Sequence, residues 1–541
     1  MIFKLFLIFI ITTSLNSSSE ITLKWLSSKP KSIAKDFYIY RFLDQNISAD
    51  EAVEALSQVN IFNTLIFKKF ANKYNNEDLK DYVRCINLDT TKLLNEPGYC
   101  IEAGLSVYEA TKLSKKDLDT VVSKTQTQFV DFSAVISLIA SQNPFYGISL
   151  VKPKVFFTLF NNCGSHYRQT HFNHHFNKEF LNKIQSFDDF SLFVKLIITN
   201  TNMQKAQISL LNIPFEDLDF KTSFLLAINA IRHNKLKIAQ KYLESANKKA
   251  YFQFDKDNSN FWLYQITNND IYLEKLKQSW DLNLYTIFAN KNDLSKLYEN
   301  IVFKFENLQL ENNNFNISDP FEWIDYLDKT KKLNEKQFQT YSDRFNYQNT
   351  QAHKAFITER YFKYKKSYFI TPYYDLIKKY DLNTQALIYA IARQESRFIP
   401  SSISSAYAMG VMQIMPFLSK ALAKQLGEKY DIDAQLEPYT NIRYAKKHLH
   451  YLQSALKHPL FIAYGYNGGI GFTKRTLKNK QLFKPSKYEP YLSMELLPYD
   501  ETKKYGKKVL ANYFIYQNYL NPSNPIPFNQ LISSICTTNK Y

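Results

Sequence analysis

Apolar residues over the first 370 positions recur at helical spacing and do not settle into the alternation of a strand. The clearest run is Phe224 to Ile231, closed by a break at His233-Asn234. A second helix follows from Lys237 to Ala246, with Ile238, Ala239, Tyr242 and Leu243 turned inward. Phe261 to Ile266, a break at Asn268-Asn269-Asp270 and Tyr272 to Ser279 repeat the arrangement. Such pairs are degenerate helix-turn-helix units that stack into a solenoid with an extended concave surface. Glycine sharpens the division. Four of the eleven glycines lie in the first 370 residues and seven in the last 171. Lys296 to about Ile370, rich in lysine and aromatics, is expected to add further helices, and the best boundary falls near Thr371-Pro372. Asn312-Asn313-Asn314 reads as an exposed loop.

Composition narrows the setting. A chain of 541 residues holds several domains. Met1-Ile2-Phe3-Lys4 followed by LFLIFIITTSL reads as a secretory signal over residues 1–19, cleaved near Asn16–Ser19. Its apolar run is short for a bilayer span, and no cysteine follows it to carry a lipid anchor. The net charge of +18 favours polyanionic partners. Nucleic acid answers to that charge, but a secretory signal points instead to a cell wall whose peptide stems carry carboxylates. The four cysteines are Cys85, Cys100, Cys163 and Cys536. Cys85 and Cys100 are a candidate disulfide closing a short loop, worth roughly 3 kcal/mol by loop entropy, with the other pairings left open. Cys163, His166, His171, His174 and His175 cluster in sequence, but their spacing matches no zinc pattern, and no metal is assigned.

The candidate chemistry begins at Ala386 to Pro416. Asn383 or Thr384 can cap an apolar core helix that ends at Glu395, before Pro400. Glu395 shares the face of Ile391, one turn back, while Arg393 and Arg397 point elsewhere. No further Asp or Glu occurs between Ser396 and Gly427. A glutamate in a last helical turn is most often solvated. A carboxyl held at an apolar helix end with no second acid nearby instead keeps its proton near neutral pH, as a general acid must.

Two further segments stand out. Ala463-Tyr464-Gly465-Tyr466-Asn467-Gly468-Gly469-Ile470-Gly471 packs three glycines into four residues beside a phenol and an amide. Met494-Glu495-Leu496-Leu497-Pro498-Tyr499-Asp500-Glu501-Thr502-Lys503-Lys504-Tyr505 leads into a final helix, with Glu501 read as an ordinary first-turn acid.

Glu395, Ser396, Phe398, Pro400, Ser404, Gly410, Met412, Gln413 and Pro416 are spaced as in the catalytic motif of the soluble lytic transglycosylases, and the other two segments resemble that family's remaining motifs in the same order. Tyr407 departs from the family's usual glycine and is expected to reshape the adjacent loop. Over about 371–520 the resemblance is specific; before that it is architectural. It implies an all-α protein: a superhelical ring over 20–295, a helical linker over 296–370 and a lysozyme-like, mainly α catalytic domain over 371–541. It also implies cleavage of the β-1,4 bond between N-acetylmuramic acid and N-acetylglucosamine in peptidoglycan. Glu395 would be the single acid and base, and the products would carry 1,6-anhydromuramyl ends. Ser404 and Gln413 would bond substrate, Met412 and Met415 would supply apolar walls, Tyr466 and Asn467 would also contact substrate, with Tyr466 orienting Glu395 or stabilising charge near it, and Glu495 would contact substrate or tune the groove. No cofactor is implied. The expected protein is a periplasmic monomer without a membrane anchor, with other cell-wall enzymes as candidate partners. Two alternatives are a lysozyme-type hydrolase on the same fold and a non-catalytic wall-binding scaffold.

Overall fold

A computed structural model describes residues 20–311 and 314–538. The expected signal peptide, and Asn312 and Asn313 of the asparagine run, lie outside the described residues. The chain is all-α apart from one two-stranded parallel sheet, Ile301–Val302 beside Ser367–Tyr368, and isolated bridges. That sheet pairs the two ends of the 296–370 segment. No described helix is long and apolar enough to cross a membrane.

The helical repeats form because each unit has one large apolar face and a short polar break. Phe220–Arg232 starts where the Asp219 side chain accepts from the Thr222 amide at 2.7 Å, and its residues Thr222 to Ile231 are buried. It stops at His233, and Asn234 turns the chain in the left-handed region at φ 55°. Leu236–Lys249 and Gln253–Thr267 follow. Asn268 then turns at φ 53°, and Asp270–Lys277 begins at the expected break. One continuous apolar core runs from Cys85 to Ile535, so the solenoid and the C-terminal region are packed together.

The N-terminal end also returns to the C-terminal region. The helix Ile33–Phe42 carries Arg41, whose guanidinium meets Asp433 at 2.5 and 3.0 Å. Phe37 joins Tyr407, Met409 and Leu436 in a separate apolar cluster. Trp25 and Tyr38 pack on Phe321 of the 296–370 segment. With the seam at residues 195–288 described below, the helical run touches the C-terminal region at both ends and closes into a ring.

Cys85 and Cys100 are disulfide-bonded, joining the helices Glu77–Asn87 and Gly98–Gly104. Cys163 is buried, and burial pushes its thiol up to about 11. Nearby, the His171 ring packs on Tyr167 and that of His174 on Phe145. Among the described residues no group of three His, Cys, Asp or Glu is placed to hold a metal.

Candidate active site

Glu395 is the last residue of the helix Leu382–Glu395. Its cap is Asp381, which accepts from the Thr384 amide at 3.0 Å, not Asn383 or Thr384 as expected. Thr384 to Ala392 are buried on all sides, so the helix is a rigid core element. Beyond it the Ser396 hydroxyl donates to the Val411 carbonyl at 2.6 Å. Arg397 and Phe398 then adopt left-handed φ of 53° and 67°, which swings the chain away and leaves Glu395 at a corner.

The half-buried Glu395 carboxyl accepts a hydrogen bond from the Tyr505 hydroxyl at 2.7 Å. Burial pushes the acid up to about 7; the Tyr505 bond pulls it down, and the charge of Glu501 pushes it further up. Tyr505 lies on the long helix Asp500–Leu520, which packs closely because position 506 is glycine. A Cβ there would stand 2.1 Å from the Tyr464 ring. Tyr466 is held by donating from its hydroxyl to the Met412 carbonyl at 2.7 Å. Burial, then the Glu395 charge, drives both phenols well above their usual range, so both stay neutral donors. Tyr505 was not singled out as the partner of Glu395 in the sequence; the end of the third motif was the only signal for it.

The loop after Glu395 is a small folded unit. Met409 bridges to both Ile403 and Ile414. Gly410, at φ 81°, sits where a Cβ would fall 2.2 Å from the Gln435 carbonyl oxygen. Asn441 clasps the loop, accepting from the Met412 amide at 2.7 Å and donating to the Met409 carbonyl at 3.0 Å. Nothing in the sequence pattern marked Asn441. The Ser404 hydroxyl accepts from the Ala408 amide at 3.0 Å. The Gln413 amide donates to the carbonyls of Ser402 and Gly410 at 3.0 and 2.9 Å. Both side chains therefore shape the loop as well as standing near Glu395 in sequence. Met412 is fully buried, so its side chain belongs to the core and not to a groove wall; Met415 is half-buried. Tyr407 faces away from the acid. It packs on Phe37 and Tyr40 and accepts from the Asn63 amide at 3.0 Å, docking the N-terminal helices onto the loop.

Asn467 joins two elements: it donates to Glu501 at 2.9 Å and accepts from the Thr502 hydroxyl at 2.7 Å. Glu495 corrects the expectation of a groove residue. It is 2% exposed and sealed in the seam with the solenoid, paired with Lys507 and accepting from Asn258 at 3.0 Å and Tyr285 at 3.1 Å. Burial alone would raise this acid, but Lys507 and Lys503 hold it below its usual range. Burial lowers Lys507 to about 8 even against Glu495. Lys195 to Asp500 at 3.3 Å, Arg232 to Gln481 at 2.7 Å and the Phe261–Tyr491 ring contact complete the seam.

Known proteins resemble the region that holds this site. Residues 376–489 match the family described as Transglycosylase SLT domain. The chain is 29% identical over 210 residues to the soluble lytic murein transglycosylase of Escherichia coli K12, covering 38% of this chain and 32% of that protein. It is 34% identical over 145 residues to the putative soluble lytic murein transglycosylase of Haemophilus influenzae, covering 26% and 23%. The matches thus span about a third or less of the length of these relatives. Among solved structures, an inactive mutant of lytic transglycosylase Slt from Pseudomonas aeruginosa aligns with a TM-score of 0.47 at 15% identity, over 95% of this chain and 90% of that one. The 70 kDa soluble lytic transglycosylase of Escherichia coli gives 0.44 at 16% identity, over the same shares.

Proposed function

We propose that this chain, which carries a transglycosylase SLT domain over residues 376–489, is a lytic transglycosylase that cleaves peptidoglycan with Glu395 as its single acid and base. A half-buried carboxyl raised to about 7 and hydrogen-bonded by a phenol carries this reading. Near neutral pH such a group exists in both protonation states, so it can give a proton and take one back.

Protonated Glu395 gives its proton to the oxygen of the β-1,4 bond between N-acetylmuramic acid and N-acetylglucosamine. As that bond breaks, positive charge grows at C1 and is met by the substrate's own N-acetyl oxygen. The Tyr505 hydroxyl donates to the carboxylate that Glu395 has become and steadies it. Glu395 then takes the proton from the muramyl 6-hydroxyl, whose oxygen bonds to C1. The product is a 1,6-anhydromuramyl end, with no water consumed. Tyr466 orients the site through Met412, Asn467 ties the glycine-rich segment to the Asp500–Leu520 helix, and Ser404, Gln413 and Met415 face the substrate side of the loop.

The division at 20–295, 296–370 and 371–541 belongs to this proposal, with the basic ring holding anionic wall polymer beside the acid. So do a periplasmic setting behind a cleaved signal, a monomeric state, and other cell-wall enzymes as partners. Hydrolysis on the same fold is the second reading, because the Glu501 charge reaches Glu395, and a second carboxylate is what a hydrolase uses as the base that takes a proton from water. Mass spectra of the digested wall separate the two. Anhydro ends, lighter by one water than reducing ends, are expected; reducing muramic ends would establish hydrolysis instead.

A further inference from the structure

A cavity of about 590 Å³ lies between the solenoid, the 296–370 segment and the back of the two helices that carry Glu395 and Tyr505. Gln394 lines it and Glu395 does not. On the Asp500–Leu520 helix, Lys504 and Lys508 stand one turn apart and face this cavity, whereas Tyr505 lies on a neighbouring face and meets Glu395. The cavity is therefore separate from the proposed glycan site, although it shares both helices with it.

Its charge is unbalanced. Lys366, Arg393, Arg397, Lys504 and Lys508 line it against three carboxylates, Asp255, Asp281 and Glu359. Arg393 and Arg397 share the single carboxylate of Glu359, with the Arg393 bond at 3.1 Å. Lys504 is paired with Asp255 at 3.0 Å. Among the described residues Lys366 and Lys508 form no salt bridge within 4 Å; both are exposed and line this space, resting over the Phe362 and Phe254 rings. Burial holds the Lys508 ammonium below its usual range; the charges of Asp281 and Asp255 oppose that shift, and the cations Lys504 and Arg397 add to it. An added anion would favour the charged ammonium against both burial and the two cations. Trp280 and Tyr364, each about two-fifths exposed, supply aromatic surface at the wall.

We infer that this cavity is a binding site for a short peptide or amino-acid derivative carrying at least two carboxylates, taken up by Lys366 and Lys508 with its apolar part against Trp280 and Tyr364. The volume suits a di- or tripeptide. Two lysines at separate points of the cavity recognise separated carboxylates better than a single anion. An occupant touches the solenoid, the 296–370 segment and the acid-bearing helices at once, so it would clamp the ring. The inference stands apart from the glycan-cleaving reading, because peptide binding is measured without turnover.

The test is isothermal titration of the full chain with the tripeptide Ala-Glu-Glu, and with amidated Ala-Gln-Gln, which keeps the N-terminal ammonium but has no carboxylate, as the control. Saturable one-to-one binding of the acidic peptide is expected, with the control binding at least about tenfold more weakly. Lys508→Ala and Lys366→Ala, both at exposed side chains, should each weaken binding about tenfold. Lys420→Ala, on a different surface, should bind as wild type. Three results would each overturn the site: no saturable binding at millimolar peptide, equal binding of the control, or wild-type binding by both cavity variants.

Discussion

Glu395 and Glu495 lie a hundred residues apart in the same C-terminal region and face opposite fates. Glu395 sits half-buried at a helix corner, bonded to a neutral phenol, and is pushed up to about 7. Glu495 is sealed in the seam against Lys507, Asn258 and Tyr285 and is held below the usual carboxylate range. Burial acts in the same direction on both. What decides is the neighbour: a phenol leaves the desolvation penalty largely standing, while a buried ammonium overrides it. One environment suits the proposed proton donor, and the other forms an ion-pair latch between the solenoid and the C-terminal region.

The largest effect should fall on turnover. Glu395→Gln is expected to lower wall cleavage at least about a thousandfold while the chain still melts cooperatively. A variant cleaving near the wild-type rate would remove the acid from its role. Glu495→Gln should instead leave Lys507 buried and uncompensated, costing about 3 kcal/mol of stability by denaturant unfolding. Cleavage well below the melting transition should change only a few-fold. A large rate loss without destabilisation would make the two glutamates alike and break the contrast.

Much of the architecture can be read directly from the chain, because its causes are local. The helix breaks at His233-Asn234 and Asn268-Asn269 follow from apolar faces interrupted by residues that tolerate left-handed backbone. The place of Glu395 at the end of an apolar helix was legible too, and the family resemblance, not the helix alone, singled it out. Glu495 was not, because the Asn258 and Tyr285 that seal it lie 237 and 210 positions away. Tyr505 reaches Glu395 across 110 residues, and Tyr407 meets Asn63 across 344. No periodicity encodes such pairings; they arise only when the ring closes.

Smaller effects sharpen the comparison. Tyr505→Phe removes the bond that favours the charged form, so Glu395 should rise further above its usual range. The alkaline limb of the pH-rate profile should shift upward, and the neutral rate should fall about tenfold. An unmoved limb would detach Tyr505 from the acid. Last comes stability against pH. Folded Glu395 binds its proton more tightly than the unfolded group, whose ordinary value is 4.5, and it releases the proton near about 7. Its contribution to stability is therefore fully present below 4.5 and is lost as pH rises through about 7. Glu395→Gln has no such loss, so its melting temperature should gain on wild type across that window and stay parallel below it. Parallel curves at every pH would show that burial does not raise this acid.

The most direct test is a carboxyl-carbon NMR titration of the chain labelled at glutamate side chains, with Glu395→Gln and Glu495→Gln identifying the two signals. Glu395 should titrate near pH 7, and Glu495 should remain ionised down through the ordinary carboxylate range. A Glu395 signal titrating at or below 4.5 would contradict the account, because the acid would then have no proton to give at neutral pH.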